Sequence, residues 1–362
     1  MDYSFDARCW IWLSYIKGMS AKKFYRLLAE AESARDVYEQ TNEFAYCCDE
    51  KTLSAINAAK ADGSFDEIFE HMEKSGVSAL TRADDSYPDC LARICDPPPT
   101  LFIKGDLKLD NEKQFAVVGT RGATYDGKKA AKEFTKVLVQ NGATIISGLA
   151  RGIDTCAHEA CLDACGKTIA VLGNGLDSIY PPENTKLAQR ILDCGGSLIS
   201  EMRLDEAPSR YSFPQRNRII AGLCEGALVV EGGKTSGSLI TANICAEEGR
   251  DVFAIPGSIY NSLAEGPNSL IQAGAGCALS PWDIIEGMHW GARPSAKRSS
   301  QKPLELDEDE KKIYNLLKNE ALSFDEIENL TGFSTSELNS RLTMLMLRSI
   351  IIRLPGNMYR LA

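Results

Sequence analysis

The sequence lacks any apolar run approaching the roughly 18–20 residues that a membrane span needs; its longer runs, such as IIAGL and ALVV, fall far short. The opening stretch, MDYSFDARCWIW, begins acidic and carries no extended apolar core, so no secretory leader is expected and the chain reads as cytoplasmic. No segment is strongly basic. Residues 1–110 hold 13 Lys and Arg against 20 Asp and Glu, residues 111–290 hold 16 against 20, and residues 291–362 hold 11 against 10. Any nucleic-acid contact must therefore be local rather than spread over a charged face. The dinucleotide fingerprint GxGxxG is missing, and so is the GK[ST] of a P-loop. The 12 cysteines include no CxxC pair. Cys156, Cys161 and Cys165 have helical spacing and read as reduced thiols packed as small hydrophobes, so neither metal nor a disulfide framework is expected.

What is present is an ordinary globular composition, 44% hydrophobic and 25% charged over 362 residues, long enough for two or three domains. Residues 1–80 read as a small helical, helix-hairpin-like domain. WIWLSYIKGMSAKKFYRLLAEAES has helical spacing broken at Gly18-Met19-Ser20. Such a turn can grip a DNA backbone, but this one sits in the acidic third and lacks a second hairpin glycine, so packing or partner contact competes with DNA binding. Residues 81–110 form a connector, with Pro97 to Pro99 enforcing extended backbone before the strand LFIKG.

Over 81–290 strand and helix patterns alternate. QFAVVGT, ATIISG, KTIAVLG, GSLISE, GALVVEG and DVFAIPG are near-continuous apolar strands, with helical patterns such as DGKKAAKEFTKVLVQNG between them. This is the signature of an α/β doubly wound, mostly parallel sheet, whose ligands bind outside the carboxyl ends of the strands. Residues 291–306 read as a linker, and 307–362 as three helices and a hairpin, a winged helix. Its third helix offers only Arg341 and Arg348 as cations, so protein contact competes there with groove binding.

Three glycine-rich turns follow strands. In FAVVGTRGATYDG, Gly119, Thr120, Arg121 and Gly122 precede a helix expected from about Asp126; turn amides, a helix N-terminus and a bidentate cation suit a phosphate. IISGLARGIDTCAHEA repeats the arrangement with Ser147 and Gly148; its Asp154 and His158, spaced i, i+4, lack an accompanying nucleophile and read as structural. EGGKTSGSLITA supplies Lys234, Thr235, Ser236, Gly237 and Ser238 as an anion cradle. Between them RYSFPQRNRIIAGL sets Arg210, Arg216, Asn217 and Arg218 around Phe213. Cations about an aromatic suit a single strand, the charges tracking phosphates and the ring stacking on bases. The competing reading has Phe213 anchoring a loop and the arginines paired with Asp205 and Glu206.

Taken together, ISGLARGID, IAVLGNGLDSIYPPEN, SFPQRNRIIAGL, VVEGGKTSGSLITA, VFAIPG and GPNSLIQAGA resemble the DNA-processing protein A (DprA, or Smf) family, over about residues 80–285 and in family order. The resemblance implies an extended Rossmann-like fold that binds single-stranded DNA without strong sequence preference. It also implies dimerisation and loading of the RecA recombinase in natural transformation, with no catalysis, cofactor or metal. It places DNA contacts at Arg121, Arg210, Phe213, Arg216-Asn217-Arg218 and Lys234 to Ser238. Thr120 stands where Ser is usual, and Pro267 where a small residue or Cys is usual. An enzyme acting on nucleotides is the alternative, since cytokinin-activating phosphoribohydrolases share a PGGxGTxxE turn. Here Leu239 occupies the place of that Glu, and an acid–base group is missing. A sequence-specific regulator reading bases with Asn339 or Arg341 is weaker still.

Overall fold

The computed structural model describes residues 3–361 except 64, 108, 110–112, 294–305, 319–320, 349 and 355. It divides into two compact units, residues 1–293 and 294–362. Among the described residues no helix is long and apolar enough to cross a membrane.

The first unit opens with helices α1 (Phe5–Tyr15), α2 (Ala21–Leu28), α3 (Ala34–Glu39), α4 (Glu50–Ala61) and α5 (Phe65–Ser75). Ser4, Ser20, Ser33 and Asp49 cap the first four by accepting from an amide of the first turn. These helices do not close a core of their own. Trp12, Phe24, Ile56 and Met72 share one buried cluster with Phe102, Leu172 and Leu198 of the sheet region. Strand β1 (Val77–Thr81) crosses position 80 and pairs antiparallel with β2 (Thr100–Gly105) after the short helix α6 (Asp89–Ala92).

The remaining strands are β3 (Gln114–Val118), β4 (Thr144–Ser147), β5 (Thr168–Val171), β6 (Ser197–Ser200), β7 (Gly226–Val229), β8 (Asp251–Ala254) and β9 (Gly276–Cys277). They alternate with α7 (Tyr125–Gln140), α8 (Ile153–Asp163), α9 (Thr185–Asp193), α10 (Ser212–Leu223), α11 (Gly237–Glu247), α12 (Glu265–Gln272) and α13 (Pro281–Gly287). The sheet order is β1-β2-β6-β5-β4-β3-β7-β8-β9, and every pairing from β6 to β9 is parallel. This is the expected extended Rossmann-like sheet. β3 to β7 are fully buried, which is why their five apolar strings read without alternation. The order reverses at β3, flanked by β4 and β7, and a crevice opens at such a switch point.

The second unit contains α14 (Glu308–Leu316), β10 (Leu322–Ser323), α15 (Phe324–Thr331), α16 (Thr335–Leu347), β11 (Ile351–Leu354) and β12 (Met358–Leu361), the three helices and hairpin of a winged helix. Capping boxes Asp307/Glu310, Ser323/Glu326 and Ser334/Glu337 start its helices. Most of the expected linker, 291–306, lies outside the described residues.

Candidate nucleic-acid interface

A cleft of about 650 Å³ lies at the carboxyl ends of β3, β4, β5 and β7. It brings together ten of the residues singled out from sequence: Gly119, Thr120, Arg121, Arg210, Phe213, Arg216, Asn217, Ser236, Gly237 and Ser238. Gly122, Lys234 and Thr235 are exposed on the same turns but do not line it. The start of α11 lies on the cleft lining, whereas the start of α7 follows the first turn but does not line the cleft. Thr124 caps α7 by accepting from Gly127 N at 3.0 Å, and Ser236 caps α11 by accepting from Ser238 N at 3.4 Å. The amides and dipoles there favour an anion.

At the mouth a cation and two rings stack. The Arg121 guanidinium carbon lies 5.1 Å from the Phe213 ring centre, and the Phe213 and Tyr180 rings are 5.6 Å apart at 36°. Arg210 lies over Tyr211 at 4.8 Å and donates to its hydroxyl at 2.6 Å. Neither Arg121 nor Arg210 has a carboxylate partner among the described residues. Asp205 pairs instead with Arg203, at 2.7 Å. The cleft cations thus keep their charge available for a ligand.

The arginines of the FPQRNR string behave differently from the sequence expectation. The stretch is helical, and α10 turns Arg216, Asn217 and Arg218 inward, leaving Arg216 4% and Arg218 9% exposed. Arg216 donates to the carbonyls of Gly148 (2.7 Å) and Val171. A Cβ at 148 would meet that guanidinium, so Gly148 is glycine to admit Arg216 rather than to approach a phosphate. Ser147 is buried and donates to Val117 O at 2.7 Å. Arg218 pairs with Glu201 and, at 3.3 Å, with Asp96 of the connector. Asn217 donates to Gly237 O at 3.3 Å, tying α10 to α11. These groups hold the cleft walls, and of them only Arg216 and Asn217 reach its surface.

Burial governs the titratable groups beneath. It lowers Arg216 to about 10, with Asp154 opposing and Arg121 adding to the shift, so Arg216 stays protonated at neutral pH. It raises the Asp154 carboxyl, against the pull of Arg216 and the amides of Ala150 and Gly148. His158 is lowered to about 3 by burial and by Arg216, and its Nδ1 meets Thr168 Oγ1 at 2.8 Å. His158 is therefore a core group, and Asp154, also buried, is a structural group at the cleft lining. Cys156 and Cys161 face the core as well, and burial pushes the Cys161 thiol up to about 12.

Sequence reasoning missed three residues of the site. Glu231, buried just before the third glycine turn, accepts from Thr124 N (2.9 Å) and Thr124 Oγ1 (2.6 Å), while its carbonyl accepts from Thr120 N (2.7 Å). It locks the first and third turns together. A threonine ahead of an acidic first turn signals the Thr124 cap; nothing local signals the Glu231 contact or the Tyr180 ring.

In the winged helix, Arg341 pairs with Asp307 (2.9 Å) and Asp309 (2.7 Å), and Arg348 with Glu310 (3.0 Å). Both cations of α16 are neutralised inside their own unit.

Residues 78–289 match the family described as DNA recombination-mediator protein A, and residues 297–357 match the DprA winged helix domain. The chain is 42% identical to Protein Smf of Escherichia coli over 297 residues, 80% of this chain and 79% of that one. Its fold is similar to the crystal structure of DNA processing protein A from Streptococcus pneumoniae, with a TM-score of 0.67 and 37% identity over 79% of this chain and 98% of that chain. It is also similar to DNA processing protein A from Helicobacter pylori, a structure described as giving insight into that protein's single-stranded DNA binding mode. The TM-score there is 0.54, with 31% identity over 59% of this chain and 95% of that chain.

Proposed function

Because the chain belongs to the DNA recombination-mediator protein A family, we propose that it binds single-stranded DNA in the glycine-turn cleft, protects it, and loads RecA recombinase on it as a homodimer. The observation that carries this reading is the row of Arg121, Phe213 and Tyr180 at the cleft, with Arg121 and Arg210 free of carboxylates among the described residues. Phosphates meet Arg121, Arg210, Lys234 and the start of α11 at Ser236–Ser238, while unstacked bases meet Phe213. Contacts to phosphate and ring faces carry no base code, so weak sequence preference follows. Arg216, Asn217, Arg218, Ser147 and Gly148 position these groups from within the walls.

The same geometry favours a mediator over a nucleotide-cleaving enzyme. The carboxylate that lines the cleft, Asp154, is already engaged by Gly148 N at 3.1 Å and Ala150 N at 3.4 Å, and Glu231 is engaged by Thr124. Neither is free to move a proton for a substrate.

Fluorescence anisotropy with a labelled single strand and the matching duplex, across a salt series, tests the reading. Tight, salt-dependent preference for the single strand is expected, followed by faster RecA assembly on the bound strand. Preference for one duplex sequence, or turnover of a nucleotide, would overturn it.

A further inference from the structure

The carboxyl edge of the sheet continues past the cleft. β8 runs parallel to β7, about 5 Å further out, so the loop leaving it faces the same side as the glycine turns. That loop is fastened to the third turn: Gly232 N donates to Leu263 O at 2.7 Å, and Gly266 N to Gly232 O at 2.9 Å. Asn268 clamps its start, accepting from Gly257 N at 3.1 Å and donating to Gly257 O at 3.0 Å. Asn261 N closes the tip on Ser258 O at 2.9 Å. On this braced tip stand Ile259, 80% exposed, and Tyr260, 94% exposed. Lys234 stands exposed on the neighbouring turn, whose Gly233 abuts Ser262.

Phe5 and Tyr46 (69%) are exposed in the N-terminal helical segment; the other exposed rings gather at the carboxyl edge of the sheet. The three most exposed rings among the described residues are Tyr260, Tyr125 and Tyr211. Tyr125 starts α7 after the first glycine turn, and Tyr211 precedes α10, so all three border the same edge. A ring kept in water on a braced loop, near a cation with no carboxylate partner among the described residues and along a row of glycine turns, suits a nucleobase.

We propose that Tyr260, with Ile259 beside it, is a second base-stacking platform that receives a single strand as it leaves the cleft across Lys234. This rests on the single-strand reading of the cleft and extends its footprint by one loop.

The test is anisotropy with oligothymidylates from about 4 to about 16 nucleotides, the range of single-strand site sizes, on the full chain and on Tyr260→Ala and Tyr260→Phe. Tyr260→Ala is expected to match the parent on the shortest binding oligonucleotides and to bind the longer ones about 5- to 10-fold more weakly, the low end of base stacking. Tyr260→Phe keeps the parent affinity, and the salt slope of Tyr260→Ala is unchanged because no phosphate contact is lost. Abasic units at the end of the long oligonucleotide that lies over the tip weaken the parent equally and Tyr260→Ala no further. Equal affinity of Tyr260→Ala and parent at every length overturns the proposal and leaves the cleft reading standing. So does a loss that is the same at every length and accompanied by a lower sedimentation mass, which would make the tip a contact between copies of the chain. A parent that binds no single strand at any length overturns the cleft reading, and this platform with it.

Discussion

The two units of this chain treat their arginines in opposite ways. In the winged helix, Arg341 and Arg348 project from the helix that would enter a groove, yet both are held by acids at the start of α14. In the sheet unit, Arg121 and Arg210 have no such partners among the described residues and lean on aromatic rings. Charge engaged internally steers no phosphate, whereas a cation resting on a ring keeps its field and its donors. The comparison teaches that net charge is a poor guide here: a chain of net charge −10 can still present a local anion site. A third class, Arg216 and Arg218, is buried and builds the wall behind that site.

The strongest way to break this comparison is at Arg218. Arg218→Met leaves Glu201 buried without its partner, which should cost about 3–5 kcal/mol, and adding Glu201→Met should restore most of the loss. All four tryptophans, Trp10, Trp12, Trp282 and Trp290, lie in the first unit, so their emission in urea reports this unit alone. An Arg218→Met variant as stable as the parent would move Arg218 to the exposed class. Next comes Phe213→Ala, expected to weaken single-strand binding by about 1–3 kcal/mol while leaving the salt slope nearly unchanged.

Acid separates the units as well. His158 is neutral in the fold, lowered to about 3, and ordinary in the unfolded chain, so the unfolded state takes up the proton first. Stability is complete above about pH 6.5 and declines as pH falls from there towards 3; between pH 7 and pH 5 the loss is about 2 kcal/mol. The winged-helix segment contains no histidine, the three being His71, His158 and His289. Tryptophan-monitored unfolding should therefore steepen with acid in the parent and flatten in His158→Gln. A parent curve already flat over that range would place His158 in water.

Smaller effects sharpen the division. Arg121→Ala and Arg210→Ala should each reduce the salt slope of single-strand binding by about 0.7, the value for one phosphate contact on a single strand. The smallest expected effect is that of Arg341→Ala, which should leave single-strand affinity and its salt slope as in the parent. A reduced slope there would show that the winged helix releases its arginine to the DNA.

Much of this was legible in the sequence, for identifiable reasons. β3 to β7 read directly because strands buried on both faces are apolar without interruption. The glycine turns stood out because backbone close to other backbone needs glycine. The FPQRNR string was misread in part. Its cations suggested contacts to phosphates, but Pro214 fits the first turn of α10, and the helix then carries Arg216 and Arg218 inward. Burying an arginine depends on partners far along the chain, here Gly148, Val171, Glu201 and Asp96, which no local pattern announces. Glu231 was overlooked for the same reason, since its partner Thr124 is 107 residues away.

The sequence by itself determined the α/β alternation, the parallel sheet, the winged helix and the family, because periodicity, turn glycines and short strings are local properties of the chain. The tertiary structure alone decided which cations remain free for a ligand and which become scaffold. That choice rests on desolvation and on pairing between distant segments, and it came out differently for Arg121, Arg216 and Arg341, which look alike in the string of letters.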